Sequence, residues 1–317
     1  MRTAVVGAGG IGGFIAGMLA RSGADTALVA RGAHLEAIRA HGLCVRSEAG
    51  DFTLQIPASS DLRELGNFDA VLVVVKAHQL VDLLPQLQPS ITAGATIVPM
   101  QNGLPFWYFS ERWLATVDRG GQLHKAIPRD QIVGSVIHAS GNIPTPGTIE
   151  QSGGMNYILG DPDEQPSARA EAVGAQLTAA NLNAPVVTTI RRDVWRKLLG
   201  NVSLNPVSAL TRLTVGKMVG DPGTRALIAT LMEETVRVAA ATGVDVDISV
   251  EERINYASRL ANVKTSMLQD AEAGRPLELD PIVGAVVELA HEFAVRAPTI
   301  NTVYALTKAL SSGFSVP

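Results

Sequence analysis

Lys197, Asn201 and Asn205 recur at every fourth position of the segment Trp195-Arg196-Lys197-Leu198-Leu199-Gly200-Asn201-Val202-Ser203-Leu204-Asn205-Pro206. On a helix this spacing sets one ammonium and two amides in a single polar stripe, with Leu198, Leu199 and Val202 facing elsewhere. A solvated face favours Glu, Lys and Gln, whereas asparagine is a mediocre helix former and Asn201 has no cap to serve. The stripe therefore reads as a site. An ammonium there can stabilise negative charge growing on a substrate oxygen and then deliver a proton. Pro206 is expected to end or kink the helix, leaving Asn205 on irregular backbone.

A second constellation opens the chain. Gly7-Ala8-Gly9-Gly10-Ile11-Gly12 follows the β-branched run Arg2 to Val6 and begins an apolar helical stretch reaching about Ser22, before a second strand from Thr26 to Ala30. In that strand-turn-helix context Gly7 permits a tight turn, Gly9 lets backbone approach a pyrophosphate, and Gly12 allows close helix-strand packing, with the helix N-terminus aimed at phosphate. A site for NAD calls for Asp or Glu about twenty residues beyond the motif, to accept from the ribose 2′-OH. The sequence has Val29-Ala30-Arg31-Gly32 there. A guanidinium at Arg31 would pair with a 2′-phosphate, so NADP(H) is favoured over NAD(H), the alternative being an ordinary solvated arginine at a helix start. Lys76 and Gln79 follow the apolar run Val71 to Val75, and Gln101-Asn102-Gly103 follows Thr96 to Met100. Both places lie at carboxyl ends of sheet strands, where open α/β sheets bind ligands. Asn-Gly is also a common turn dipeptide, and a lysine after a strand is commonly solvated.

These residues must be positioned by elements. Strand-like runs at Val71 to Val75, Thr96 to Met100, Ile132 to His138 and Pro185 to Thr189 alternate with helical segments, predicting a doubly wound, mainly parallel sheet of Rossmann type. Short segments at Gly42 to Arg46, Phe52 to Ile56, Gly147 to Gln151 and Asn156 to Leu159 can add further or antiparallel strands. Beyond about Thr189 the pattern turns helical, near 192–204, 223–242, 248–272, 279–295 and 300–311. The expected organisation is a Rossmann domain at 1–188 and an all-α substrate and catalytic domain at 189–317, closely packed with a cleft between them.

Composition removes several function classes. The 317 residues are 46% hydrophobic and 18% charged, with a net charge of −4. That is a globular composition with no positive field for nucleic acid or anionic lipid. The single cysteine, Cys44, can form neither an intrachain bridge nor a multi-cysteine metal site, which fits a cytoplasmic protein. The N-terminal apolar run holds Gly7, Gly9, Gly10, Gly12 and Gly13, so it does not read as a signal peptide, and no stretch offers the length of a spanning helix. The histidines show no metal-ligand spacing, and no metal is expected. His138, at a strand end, could approach a nicotinamide, but a lone histidine is more often structural.

Taken together, the glycine motif, Lys76-x-x-Gln79, Gln101-Asn102-Gly103 and the Lys197 stripe resemble the ketopantoate reductase family. Ser266-Met267-Leu268-Gln269-Asp270, the run Gly274-Arg275-Pro276-x-Glu278-x-Asp280 and Ala297-Pro298-Thr299 extend the resemblance over nearly the whole chain. The resemblance implies NADPH-dependent reduction of 2-dehydropantoate (ketopantoate) to pantoate. It implies that Lys197 is the catalytic lysine that binds the ketone oxygen and supplies its proton. Glu278 would be the carboxylate that engages the substrate hydroxyl and helps set the lysine's charge, and Asn102 would stand between the nicotinamide ribose and substrate. Asn201, Asn205 and Ser266 would contact the substrate's hydroxyl and carboxylate ends, while Arg31 and Lys76 would contact the adenosine phosphate end of NADP. A related 2-keto acid or β-hydroxyacid dehydrogenase on the same scaffold, or an NADP-binding sensor without turnover, are the alternatives.

Two departures stand out. Val263 occupies the place of a substrate-facing Asn, with Asn262 beside it. Phe106-Trp107-Tyr108-Phe109-Ser110-Glu111-Arg112-Trp113 places five aromatics in eight residues. That segment can be a wall over a bulkier substrate, a homodimer patch or packing within the core.

Overall fold

The computed structural model describes residues 1–48 and 50–314. The chain divides into two units, the first made of Met1–Gln101, Phe106–Trp113 and Gly120–Ile190, the second of Asn102–Pro105, Leu114–Arg119 and the chain from Arg191 onward. Along the first unit run β1 (Thr3–Val6), α1 (Gly10–Arg21), β2 (Thr26–Val29), α2 (Gly32–His41), β3 (Leu43–Arg46), β4 (Phe52–Leu54), β5 (Ala58–Ser59), β6 (Ala70–Val73), α3 (Leu80–Thr92) and β7 (Thr96–Pro99). It continues with α4 (Gln122–Ala126), β8 (Gly134–Thr145), β9 (Thr148–Gly160), α5 (Ala168–Ala179) and β10 (Val186–Val187).

The apolar β-branched runs become a fully parallel sheet in the order β5-β2-β1-β6-β7, with Thr3 in register with Thr26 on one side and Ala70 on the other. Every residue of β1, β2, β6 and β7 is buried, as strands covered on both faces must be. The chain passes from β1 to β2 on one flank and to β6 on the other, which opens a crevice at the carboxyl ends of these three strands.

The strand expected at Ile132 to His138 does not continue that sheet. Gly134–Thr145 forms β8, antiparallel to β9, and belongs to a second sheet in which β10, β9, β3 and β4 are neighbours. The physical reason is the connection: only Pro146 and Gly147 separate the two strands, and so short a link can join only an antiparallel pair. Ile132 itself meets the parallel sheet through one bridge, to Ile97. Both sheets press on α1, whose residues Gly12 to Leu19 are all buried. Its glycines admit the second sheet: a Cβ on Gly10 would lie 2.1 Å from the Gly141 backbone, and one on Gly13 2.5 Å from Ile149.

The second unit is helical: α6 (Ile190–Thr211), α7 (Val215–Gly220), α8 (Pro222–Ala241), α9 (Val250–Ser258), α10 (Ser266–Glu272), a π-turn at Asp280–Gly284 leading into α11 (Ala285–Glu292), and α12 (Pro298–Ser311). Pro206 does not end α6, which continues to Thr211. Proline forfeits the hydrogen bond to the Val202 carbonyl, but Val207 and Ala209 beyond it are buried at 1% and 0% exposure, and their packing holds the last turn. The helix expected over 248–272 is broken between α9 and α10. There the Ala261 and Val263 carbonyls accept from Gly216 N–H and Val215 N–H, satisfying donors that the start of α7 would otherwise leave orphaned.

The short segments 102–105 and 114–119 are anchored within this unit. Leu104 N–H donates to the Pro281 carbonyl at 2.7 Å. The Glu288 carboxylate on α11 accepts from Ala115 N–H, Thr116 N–H and the Thr116 hydroxyl at 2.8, 3.0 and 2.6 Å.

Candidate active site

In the first unit the glycine motif lies where the crevice opens. Gly7 sits at φ +107° and a Cβ there would press on the Val74 carbonyl at 2.7 Å, while a Cβ on Gly12 would meet the Gly7 oxygen at 2.0 Å. The turn is thus tight and α1 close-packed, as the motif predicts. At Gly9 the outcome differs, since a Cβ there would meet nothing within 4 Å. It borders open space of the kind a phosphate group needs. The cavity in front of it, about 370 Å³, is lined by Gly7, Gly9, Arg31, His34, Lys76 and Gln79 among others. Gly12 is buried in the packing behind it.

No aspartate or glutamate lines this cavity among the described residues. Arg31 stands exposed at the N-cap of α2, in extended conformation. Lys76 caps the short turn before α3, and its own N–H donates to Gln79 Oε1 at 3.3 Å. Two cations in a cavity whose described lining holds no carboxylate, beside a helix N-terminus, suit a ligand carrying several phosphates.

Ser60, Gln86 and His34 also line this cavity, and no pattern in the sequence singles them out. His34 lies one turn beyond Arg31 on α2. Its Nδ1 accepts from Gly147 N–H at 2.9 Å. Burial lowers its pKa below the usual imidazole value, opposed by the Ala8 backbone, so a neutral ring faces the cavity. His138 is exposed on β8, paired with Asn156 across the hairpin.

The second unit carries the stripe. Lys197, Asn201 and Asn205 share one face of α6, and Asn205 is only 6% exposed. Burial pushes the Lys197 ammonium from 10.5 down to about 8, and the Glu278 carboxylate pulls it back up. Glu278 is itself buried, two residues before the π-turn. Asn102 belongs to the same unit and is held near that turn: Gly103, at φ +93°, is so close to Pro281 that a Cβ would lie 2.4 Å from its carbonyl oxygen. The side-chain amides of Asn102, Asn201 and Asn205 make no hydrogen bond among the described residues, so their donors and acceptors are uncommitted. Ser266 is the exposed first residue of α10. Val263 is 47% exposed and Asn262 is exposed beside it.

The first three residues of the aromatic segment pack into the core. Phe106, Trp107 and Tyr108 are at most 5% exposed. Arg129 holds the segment by donating to the Trp107 and Phe109 carbonyls at 2.6 and 3.3 Å while pairing with Asp163. Arg112 covers the Phe109 ring and Lys125 the Trp113 ring. Core packing describes Phe106 to Tyr108, whereas Trp113 at the end of the segment is 37% exposed.

No helix among the described residues is long and apolar enough to cross a membrane. Residues 3–164 match the family described as ketopantoate reductase PanE/ApbA, and residues 189–311 match its C-terminal counterpart. The 2-dehydropantoate 2-reductase of Mesorhizobium japonicum is 40% identical over 319 residues, covering 98% of each chain. Among solved structures, a candidate ketopantoate reductase from Ralstonia solanacearum MolK2 is 34% identical with a TM-score of 0.93, covering 100% of this chain and 99% of that one. D-mandelate dehydrogenase, solved with NADH and anilino(oxo)acetate, shares the fold at 22% identity, TM-score 0.87 and full coverage of both chains. With both halves matched and a full-length relative at such identity, the chain belongs to the ketopantoate reductase family of oxidoreductases.

Proposed function

We propose that this protein reduces the ketone of a 2-keto acid with NADPH, and that the substrate is 2-dehydropantoate, giving pantoate. The observation that carries the chemistry is Lys197, an ammonium lowered by burial to about 8 and opposed by Glu278. A general acid is most effective when its pKa lies near the working pH. The observation that carries the cofactor is a cavity holding Arg31 and Lys76 with no carboxylate among its described lining residues. That lining suits a 2′-phosphate and lacks the carboxylate that an NAD site sets against the ribose 2′-hydroxyl. Gly7, Gly9, Arg31, Lys76 and Gln79 would hold the dinucleotide, which when bound supplies the hydride.

The chain's own residues do the rest. Lys197 Nζ hydrogen-bonds the ketone oxygen, stabilises its growing negative charge and hands it a proton, becoming a neutral amine that solvent reprotonates. Glu278 keeps Lys197 charged at neutral pH and accepts from the substrate's hydroxyl. Asn102 orients the ketone carbon, and Asn201, Asn205 and Ser266 hydrogen-bond the polar ends of the substrate.

Loss of NADPH absorbance with ketopantoate, beside NADH and a panel of bulkier 2-keto acids, tests this reading. Turnover that prefers ketopantoate and NADPH is expected, and should vanish in Lys197→Ala while NADPH still binds. Inert ketopantoate with active alternatives would move the substrate assignment, and near wild-type turnover by Lys197→Ala would overturn the mechanism.

A further inference from the structure

Arg253, on α9, presses its guanidinium against the backbone of α6. A Cβ on Gly200 would fall 2.0 Å from Arg253 Nη2, so only a glycine leaves room for it. Gly200 adjoins Asn201 and stands one turn from Lys197, which places the cation on the flank of the polar stripe. Its Nη1 is buried with no hydrogen-bond partner. Among the described residues its side chain meets no carboxylate, and its one aromatic neighbour is the Tyr256 ring, 5.3 Å from Cζ. Burial lowers the proton affinity of this guanidinium, and Tyr256 only partly offsets it.

A guanidinium buried without an anion is costly, and an apolar residue of similar size would serve packing better. Its planar fork, by contrast, matches a carboxylate with two parallel hydrogen bonds. The stripe beside it offers a ketone oxygen an ammonium and offers hydroxyls neutral amides, but the negative end of a 2-keto acid needs a cation of its own. At Val263 the exposed side chain is apolar and offers that end no donor. We propose that Arg253 binds the substrate carboxylate, a reading that rests on the reductase assignment above and adds to it a determinant of specificity for acids.

Calorimetric binding of pantoate, and of its neutral lactone, to the protein with NADP+ tests this. Replacing a charge-assisted pair with Arg253→Met should weaken pantoate roughly 10- to 100-fold and leave the lactone unchanged. Gly200→Ala pushes aside only the far end of a flexible side chain, so it should reproduce part of that loss, and the double variant should bind no worse than Arg253→Met alone. Thermal unfolding of Arg253→Met without ligand should match or exceed the wild type. Unchanged pantoate binding in Arg253→Met, equal weakening of pantoate and lactone, or a wild type that binds no pantoate would each overturn the proposal. If pantoate binding depends on Arg253 while ketopantoate is not reduced, the reductase reading falls and the carboxylate site stands. If ketopantoate is reduced with the same KM by wild type and Arg253→Met, the carboxylate site falls alone.

Discussion

The Glu278 carboxylate holds up the charge of Lys197 against the lysine's own burial, and the balance leaves the ammonium at about 8. If the protonated lysine is the acid that completes reduction, kcat/KM for the ketone falls as pH rises through about 8. Glu278→Gln removes the opposing charge and leaves desolvation alone, so the descending limb moves to lower pH. A profile in Glu278→Gln that keeps the wild-type limb would mean the two side chains do not titrate together.

The same burial carries a stability cost. Between about 8 and 10.5 an unfolded chain holds a proton on this lysine that the folded protein has released, so stability rises with pH across that window, and below it the penalty is present in full. Lys197→Met should therefore raise stability at neutral pH, by up to about 3 kcal/mol, while abolishing turnover. Chemical denaturation at pH 7 and at pH 10 checks this, because the advantage of the variant should shrink at the higher pH.

Arg31 is the residue on which cofactor choice should turn. Its guanidinium lines a cavity without carboxylates among its described residues and stands exposed at the start of α2, so replacing it disturbs no packing. Arg31→Ala should weaken NADPH by roughly 10-fold or more while NADH changes little. Equal weakening of both dinucleotides, measured by fluorescence titration, would show that Arg31 does not read the 2′-phosphate.

Gly103 joins the site to the fold. Its φ of +93° and the 2.4 Å approach that a Cβ would make to the Pro281 carbonyl leave no room for a side chain. Gly103→Ala must either strain this backbone or move the π-turn that follows Glu278, a cost of about 2 kcal/mol or more. Because Asn102 is its neighbour, kcat should fall further than stability. A variant with lowered Tm and unaltered kcat would separate this turn from catalysis.

What the sequence disclosed and what it hid follow from how local each cause is. Gly7 and Gly12 were legible because their constraints arise within the motif and the adjoining strand. The α6 stripe was legible because one helical period places all three side chains. Pro206 misled because the rule that proline ends helices is local, whereas the burial of Val207 and Ala209 is tertiary. Glycine and proline in β8 and β9 broke one long hairpin into fragments that looked like separate short strands. Arg253 was invisible, since its meaning comes from lying on Gly200 of another helix.

Glu234 shows how a segment that carries the family resemblance can be structural. This carboxylate, only 2% exposed on α8, accepts from Thr299 N–H at 3.2 Å and Ile300 N–H at 2.9 Å, the first turn of α12. It satisfies two of the donors that a helix start leaves unpaired, with its charge at the positive end of the helix dipole. Ala297-Pro298-Thr299 is thereby a docking point for the last helix: Pro298 sits where an N–H is not needed, and Glu234 serves the donors that follow it. Glu234→Ala leaves both N–H groups unsatisfied in the interior and should lower stability by about 2–4 kcal/mol. Glu234→Gln keeps an acceptor without the charge and should recover part of that loss. Neither variant should change the KM for the keto acid once temperature is low enough for the protein to stay folded. A raised KM at such a temperature would place the α12 docking point in substrate binding after all.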